Sequence, residues 1–299
     1  MLAILLACAA AAVFAAGTSL QHRAVSGVPT EHGSATGLLV RLVLRPSWLL
    51  GLALSGVAFI LHVAALRHGS LTLVQPVVVS TIVFAVFVRA GLDFRLPPRK
   101  EIAWAVFTWA GLSLFIGALE TRAAQHAADN RAAAIFFASG AVATAVAIIC
   151  ARRTSLAARR GVLLGLAAGI SFGLTAGLIK VVVTQAAFGF MSIPKHWAIW
   201  GLVVAGVNAL LLNQRAYHAA RLSTIMPILN IADVLVAIGF GVTVFGERVF
   251  SSPPRLVAEL AGLIVMAIGV WQLARQEEGS TGLKDPPPSR EPVTARHPQ

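Results

Sequence analysis

The stretch that decides the fold is residues 71–88, LTLVQPVVVSTIVFAVFV, together with its counterpart at 222–245, LSTIMPILNIADVLVAIGFGVTVF. Each is apolar enough, and long enough, to cross a bilayer core, which needs about 20 residues of helix. A shift of 151 residues places Pro76 of the first stretch over Pro227 of the second. The pair therefore predicts an internal repeat in a membrane protein.

The rest of the chain has the same character. Of 299 residues, 57% are hydrophobic and only 12% are charged, and the mean hydropathy is +0.80. A soluble domain carries about 25% charged residues, so a water-facing surface is excluded for most of this chain. Nine apolar segments predict nine transmembrane helices: 1–20, 48–66, 71–88, 102–119, 132–150, 161–179, 197–212, 222–245 and 256–273.

The net charge of +12 comes from 24 Lys and Arg residues against 12 Asp and Glu residues. The basic residues lie between apolar segments, which is typical of topology signals at lipid headgroups and argues against nucleic-acid binding. The loops on the N-terminal side hold seven of them and the opposite side holds 17. We therefore expect a multi-pass protein of the plasma membrane with its N-terminus outside and its C-terminus in the cytoplasm.

The repeat organises the chain into four parts. We expect a first transmembrane repeat at 1–119, a connecting helix with a basic loop at 120–160, a second repeat at 161–273 and a disordered cytoplasmic tail at 274–299. Within the segment 23–47, the stretch 35–44 is apolar apart from Arg41, which predicts a helix lying in the membrane interface. An ordinary polar loop, or a span, is the alternative there.

Four helices, one connector and four more helices place the second repeat in the opposite sense to the first. A four-helix unit begins and ends on one face, and the connector then carries the chain across. The predicted fold class is therefore all-α, with about nine transmembrane helices in two inverted repeats (4+1+4). Such repeats are typical of alternating-access transporters.

A row of glycines recurs at intervals of four residues in the sixth segment: Gly161, Gly165, Gly169, Gly173 and Gly177. Small residues at this spacing let another helix approach closely. The row also matches the small residues of the first segment at the same spacing, from Ala3 to Ser19, and we expect that row to be its packing partner.

A proline early in a span, followed about eighteen residues later by Phe245-Gly246-Glu247, resembles the EamA pattern of the drug/metabolite transporter superfamily. The motif Leu73-Val74-Gln75-Pro76 and the segment 172–180 are most similar to the magnesium-transporter branch called NIPA. That branch has Gly-Glu-x-x-Asn-Phe before its Leu-Val-x-Pro, whereas this sequence has His62 in the Asn position and no carboxylate. The resemblance implies transport by alternating access, and the departure favours a metabolite or drug-like solute over Mg²⁺.

Asp233 is the leading candidate for substrate contact or coupling, because it is the one carboxylate deep inside a predicted span. A charge at that depth costs about 2.5–3.5 kcal/mol on insertion scales, so we expect a partner or a proton. Asn230 lies one turn away and is expected to share a ligand. Pro76 and Pro227 are predicted gating hinges, with static kinks as the alternative.

Three further side chains are candidates for the transport path. Gln75 adjoins the first proline and either offers its amide to a substrate or caps a kink. His62, whose counterpart is Asn213, either lines the path or packs between helices. Lys180 is expected to reach outward as an anchor, with pairing to an anion or to Asp233 as the alternative.

These observations favour a secondary transporter of a small solute. The alternatives are a transporter of Mg²⁺ or another divalent cation and a non-transporting scaffold or subunit. No nucleotide-binding loop and no catalytic set is present in the sequence, so neither an enzyme nor a cofactor is expected. The expected partners are a small-molecule or ion substrate and the lipid bilayer, and a homodimer is left open.

Overall fold

The computed structural model describes residues 1–26, 45–119, 128–186, 194–220, 222–247 and 252–281. This described part is helical and contains no strand. Its ten helices are α1 (Leu2–Ser26), α2 (Pro46–His68), α3 (Leu71–Val79), α4 (Thr81–Leu92), α5 (Arg99–Ala118), α6 (Asn130–Arg153), α7 (Ala157–Ala186), α8 (Trp197–Ala219), α9 (Leu222–Phe245) and α10 (Pro253–Thr281). Since α3 and α4 together make one span, nine helices of this part can cross a membrane, as predicted.

The helices differ in how much of their surface faces the protein interior. The spans formed by α3 with α4, by α7 and by α9 bury the largest share of their residues. The others expose rows of large apolar side chains, among them Ile135 of α6 and Val204 of α8. Because lipid is as apolar as these side chains, such a surface is stable only inside a bilayer. The core therefore lies along α3, α4, α7 and α9.

The third span breaks at Ser80, although the sequence predicted a hinge at Pro76. Helix α3 runs through Pro76 to Val79, and α4 begins at Thr81. The Ser80 hydroxyl and amide both donate to the carbonyl oxygen of Val77, at 2.6 and 3.0 Å, which ends the helix in a medium without water. By contrast, α9 continues through Pro227 without interruption. The backbone near the two prolines therefore differs, and the assignment of Pro76 and Pro227 as gating hinges stays a prediction.

Helices α5 and α10 cross at glycines that the repeat pairs with each other. A methyl group on Gly111 would lie 2.9 Å from the carbonyl oxygen of Gly262, and one on Gly262 would lie 2.8 Å from that of Gly111. The same methyl groups would lie 2.6 Å from the amide nitrogens of Met266 and Phe115, which are again paired by the shift of 151. Contacts that exchange in this way define a two-fold axis between antiparallel helices. The two halves are thus related as inverted repeats.

Three boundaries differ from the sequence prediction. Helix α10 continues to Thr281, so the expectation of disorder from 274 onward is wrong for its first eight residues; the stretch 274–278, ARQEE, consists of good helix formers. The predicted basic loop is short, because Arg159 and Arg160 already belong to α7. Helix α1 likewise extends to Ser26. The predicted interfacial stretch 35–44 and the tail beyond 281 lie outside the described residues.

Candidate functional site

The two halves meet inside the protein through one amide and one carboxylate. Gln75 lies in α3 of the first half, and Asp233 is at the middle of α9 in the second. The Gln75 Nε2 group donates to Oδ1 and Oδ2 of Asp233 at 2.8 and 2.9 Å. Both residues are buried, at 4% and 9% exposure. The structure therefore brings together two predicted site residues from different halves.

This bridge leaves one strong acceptor without a partner. The Oε1 atom of Gln75 is buried and makes no hydrogen bond within the described part of the chain. Leaving a polar atom unpaired inside a protein costs about 1–3 kcal/mol. The pair therefore presents a carboxylate and a spare carbonyl oxygen, which together accept a proton donor or a cationic group.

A second polar contact, which we call the seal, joins the halves at one end of the structure through Glu247. Gly246 has φ +63°, and the next amide, that of Glu247, donates to the carbonyl oxygen of Gly241 at 3.1 Å. This is the usual glycine-terminated end of a helix. It turns Glu247 back toward the interior, where its carboxylate accepts the amides of Leu71 and Thr72 at 2.8 and 3.0 Å. The Phe-Gly-Glu motif thus caps the first turn of α3 from the other half.

Lys180 of α7 completes this seal. Its Nζ lies 2.5 Å from Oε1 of Glu247 and 4.7 Å from the centre of the Phe245 ring. The Lys180 side chain is 11% exposed and that of Glu247 is 3% exposed. The expectation that Lys180 reaches outward as an anchor is therefore wrong, and its partner is Glu247 and not Asp233. Sequence reasoning missed the role of Glu247, because the motif shows a helix end but not what lies opposite it.

Asn230 and Asp233 face different surroundings, although they are one turn apart. Asp233 points to Gln75, whereas Asn230 lines a cavity of about 190 Å³ with Pro227 and Val79. No hydrogen bond joins the Asn230 side chain to another described residue. The described structure therefore gives no ligand position that the two side chains share.

His62 and its repeat counterpart Asn213 each bury one polar atom that has no hydrogen-bond partner among the described residues. The Nε2 atom of His62 and the Oδ1 atom of Asn213 are both buried without a hydrogen bond in the described structure. They lie in α2 and α8, the second helices of the two halves. Neither contacts the bridge or the seal through any described hydrogen bond.

The glycine row packs against α9 and not against the first helix. A methyl group on Gly169 would lie 2.4 Å from the carbonyl oxygen of Leu229, and one on Gly173 would lie 2.7 Å from that of Asp233. Gly165 faces the same helix with more room. The expectation that the Ala3–Ser19 row is the partner is therefore wrong. The seam instead fixes the backbone that carries Asp233.

Metal ligands of the usual kinds do not cluster in the described ranges, where no group of three or more His, Cys, Asp or Glu side chains converges. Cys8 and Cys150 are both free thiols. The bridge and the seal are two places in these ranges where buried polar groups of different halves meet.

The fold and these contacts define a class: an all-helical, multi-pass membrane protein with two inverted halves joined by buried polar contacts. No family model and no solved structure matches the chain. The chain is similar to an uncharacterized protein of Corynebacterium glutamicum, with 26% identity over 286 residues. That alignment covers 95% of this chain and 98% of the relative.

Proposed function

We propose that the protein is a secondary transporter that moves a small solute by alternating access. The observation that carries the proposal is the Gln75–Asp233 bridge, a buried polar contact between two inverted halves at the middle of the span α9. In inverted-repeat transporters, substrate and coupling sites lie at the repeat interface near the bilayer midplane. Burial of a polar group at such a place costs free energy. A transport role explains why the group is kept there, whereas a scaffold role does not.

The seal supplies the second element that alternating access needs. Glu247 ties the second half to the start of α3 at one end of the molecule. The shift of 151 places Leu96 in the corresponding position at the other end, and Leu96 is 92% exposed. Among the described residues, the tie made by Glu247 therefore has no counterpart at Leu96. With the N-terminus outside, as the charge distribution favours, the sealed end is the outer one and the inner end is the one free to open.

Rocking about the crossing of α5 and α10 links these contacts into a cycle. Because Gly111 and Gly262 lie at the two-fold axis, rotation there changes their separation least, while α3 and α9 move relative to each other. Such a movement breaks the Gln75–Asp233 bond in one of the two states. The released carboxylate then takes a proton or a cationic group, which couples the movement to an ion gradient.

Flux measurements on purified protein in liposomes test this proposal. The probes are a panel of radiolabelled metabolites and drug-like solutes, and Mg²⁺ with an internal indicator, each with and without a pH gradient. We expect uptake of at least one organic solute above that of empty liposomes. Asp233→Asn should abolish accumulation driven by the pH gradient and retain exchange of labelled for unlabelled solute.

The matched control is Asp93→Asn. Asp93 makes a salt bridge of 3.4 Å to Arg23, but its side chain is 56% exposed and it lies outside the core. The same change of charge there should leave flux unchanged. Flux of Mg²⁺ alone would favour a divalent cation transporter, and flux of no probe in protein of native stability would favour a scaffold.

A further inference from the structure

The cavity beside Asn230 lies between the second half and the end of α3. Its volume is about 190 Å³, and its walls come from α9 and α10, with Val79 of the first half at one side. Four of its lining residues are also exposed apolar side chains on the membrane-facing surface: Ile231, Leu235, Leu260 and Ile264. The cavity therefore opens toward lipid and reaches the interface between the halves.

The repeat shows that this opening is a departure from symmetry. The shift of 151 pairs Leu235 with Phe84 and Leu260 with Trp109. In the first half, the rings of Phe84 and Trp109 meet edge to face with their centres 5.7 Å apart, so two aromatic side chains occupy the space between α4 and α5. In the second half, the leucines leave the corresponding space open. Ala267, opposite Ile116 in the repeat, widens it further.

Asn230 is the polar group in this cavity. The other eleven lining residues are apolar, and Asn230 makes no hydrogen bond to a described residue. The repeat pairs Asn230 with Val79, so the amide has no counterpart at this position of the first half. An amide surrounded by hydrocarbon and left unpaired is costly, and a ligand that pairs with it recovers that cost.

Size and polarity define the ligand. A cavity of about 150 Å³ lined by Leu, Ile and Phe holds benzene, so this one takes a molecule somewhat larger. None of the lining residues is charged, which selects a neutral molecule. We propose that this cavity binds a small, mainly apolar solute with one hydrogen-bonding group, which enters from the bilayer and is held by Asn230.

The solute bound in this cavity is the one that the protein transports, and in this respect the site rests on the proposed function. Since Val79 lines the cavity, a solute there touches both halves. It also lies one turn from the part of α9 that carries Asp233. A solute in this place is therefore positioned to sense the relative movement of the halves.

Photolabelling tests the site without relying on transport. The probe is a hexanol carrying an aliphatic diazirine, applied to the full-length protein in lipid nanodiscs, and adducts are located by peptide mass spectrometry. We expect adducts concentrated on 227–235 and 260–270, displaced by excess unlabelled hexanol. Labelling spread evenly over lipid-facing residues, or not displaced by hexanol, would overturn the proposal and leave lipid as the occupant.

Two variants make the test specific. Leu235→Phe with Leu260→Trp copies the aromatic pair of the first half and should reduce labelling at least fivefold. Asn230→Leu keeps the side-chain size and should lower labelling by the alcohol about three- to tenfold, the value of one hydrogen bond, with no effect on a diazirine-bearing hexane. Equal loss of both labels in Asn230→Leu would contradict the role of the amide.

The matched control is Phe84→Leu with Trp109→Leu, which opens the space in the first half. This variant should keep the original adducts and gain new ones on α4 and α5. Unchanged labelling in it would contradict the structural basis of the site. Displaceable adducts on 227–235 and 260–270 in a protein that shows no flux of any solute would refute transport and leave the binding site. Flux without these adducts would refute the site alone.

Discussion

Replacing Glu247 with glutamine should open the sealed end. The carboxylate accepts three hydrogen bonds, from the amides of Leu71 and Thr72 and from Lys180. Glutamine has one acceptor oxygen. If that oxygen takes the place of Oε1, the NH₂ group faces the Thr72 amide; if it takes the place of Oε2, the NH₂ group faces the Leu71 amide and the Lys180 ammonium group. At least one charge-assisted bond is lost, each worth about 1.5–3 kcal/mol. Because about 1.4 kcal/mol is a factor of ten, the open population should rise about 10- to 100-fold.

The assay is the rate at which a membrane-impermeant thiol reagent modifies a cysteine placed at Thr72. Thr72 is 3% exposed beneath the seal, and its contribution to the seal is a backbone amide, which the substitution keeps. Cys8 and Cys150 are replaced by alanine in all variants. We expect the rate to rise about 10- to 100-fold in Glu247→Gln.

The matched control is Glu101→Gln, which removes another buried carboxylate. Glu101 pairs with Arg89 at 3.2 Å, but both residues belong to the first half. This variant should leave the rate at position 72 unchanged, even if it lowers stability. A double-mutant cycle with Lys180→Met should give a coupling of about 1 kcal/mol or more. Equal labelling rates in Glu247→Gln and the parent protein would refute the seal.

Three further results are expected. Gly169→Ala should lower the melting temperature in detergent, because the added methyl would lie 2.4 Å from a backbone oxygen of α9, with a cost of about 1–3 kcal/mol. Gly262→Ala should do the same at the crossing of α5 and α10. Gly117→Ala is the control: its added methyl meets nothing within 4 Å, so it should be neutral or stabilising. Equal melting temperatures in these three glycine variants would contradict the close helix contacts. His62→Leu should raise the melting temperature, since it removes a buried nitrogen without a partner, and a fall would show that the histidine is paired.

The sequence determined the membrane class, the nine spans and the pairing of the two halves. Spans follow from apolar length, and the repeat follows from matching residues such as Pro76 with Pro227, so no three-dimensional information is needed. The depth of Asp233 and the proximity of Gln75 to a proline were enough to select both as candidates. Neither observation indicates that the two side chains meet.

Only the tertiary structure decided which groups face each other. Glu247 follows a helix end in the sequence, yet its partners Lys180 and Thr72 lie in helices 67 and 175 residues away. The break at Ser80 depends on a hydroxyl satisfying a local carbonyl, and the partner of the glycine row depends on which helix comes close. The cavity beside Asn230 is lined by leucines at positions where the other half has two aromatic rings in edge-to-face contact. Periodicity and hydropathy describe one helix at a time, whereas these contacts arise from the packing of several.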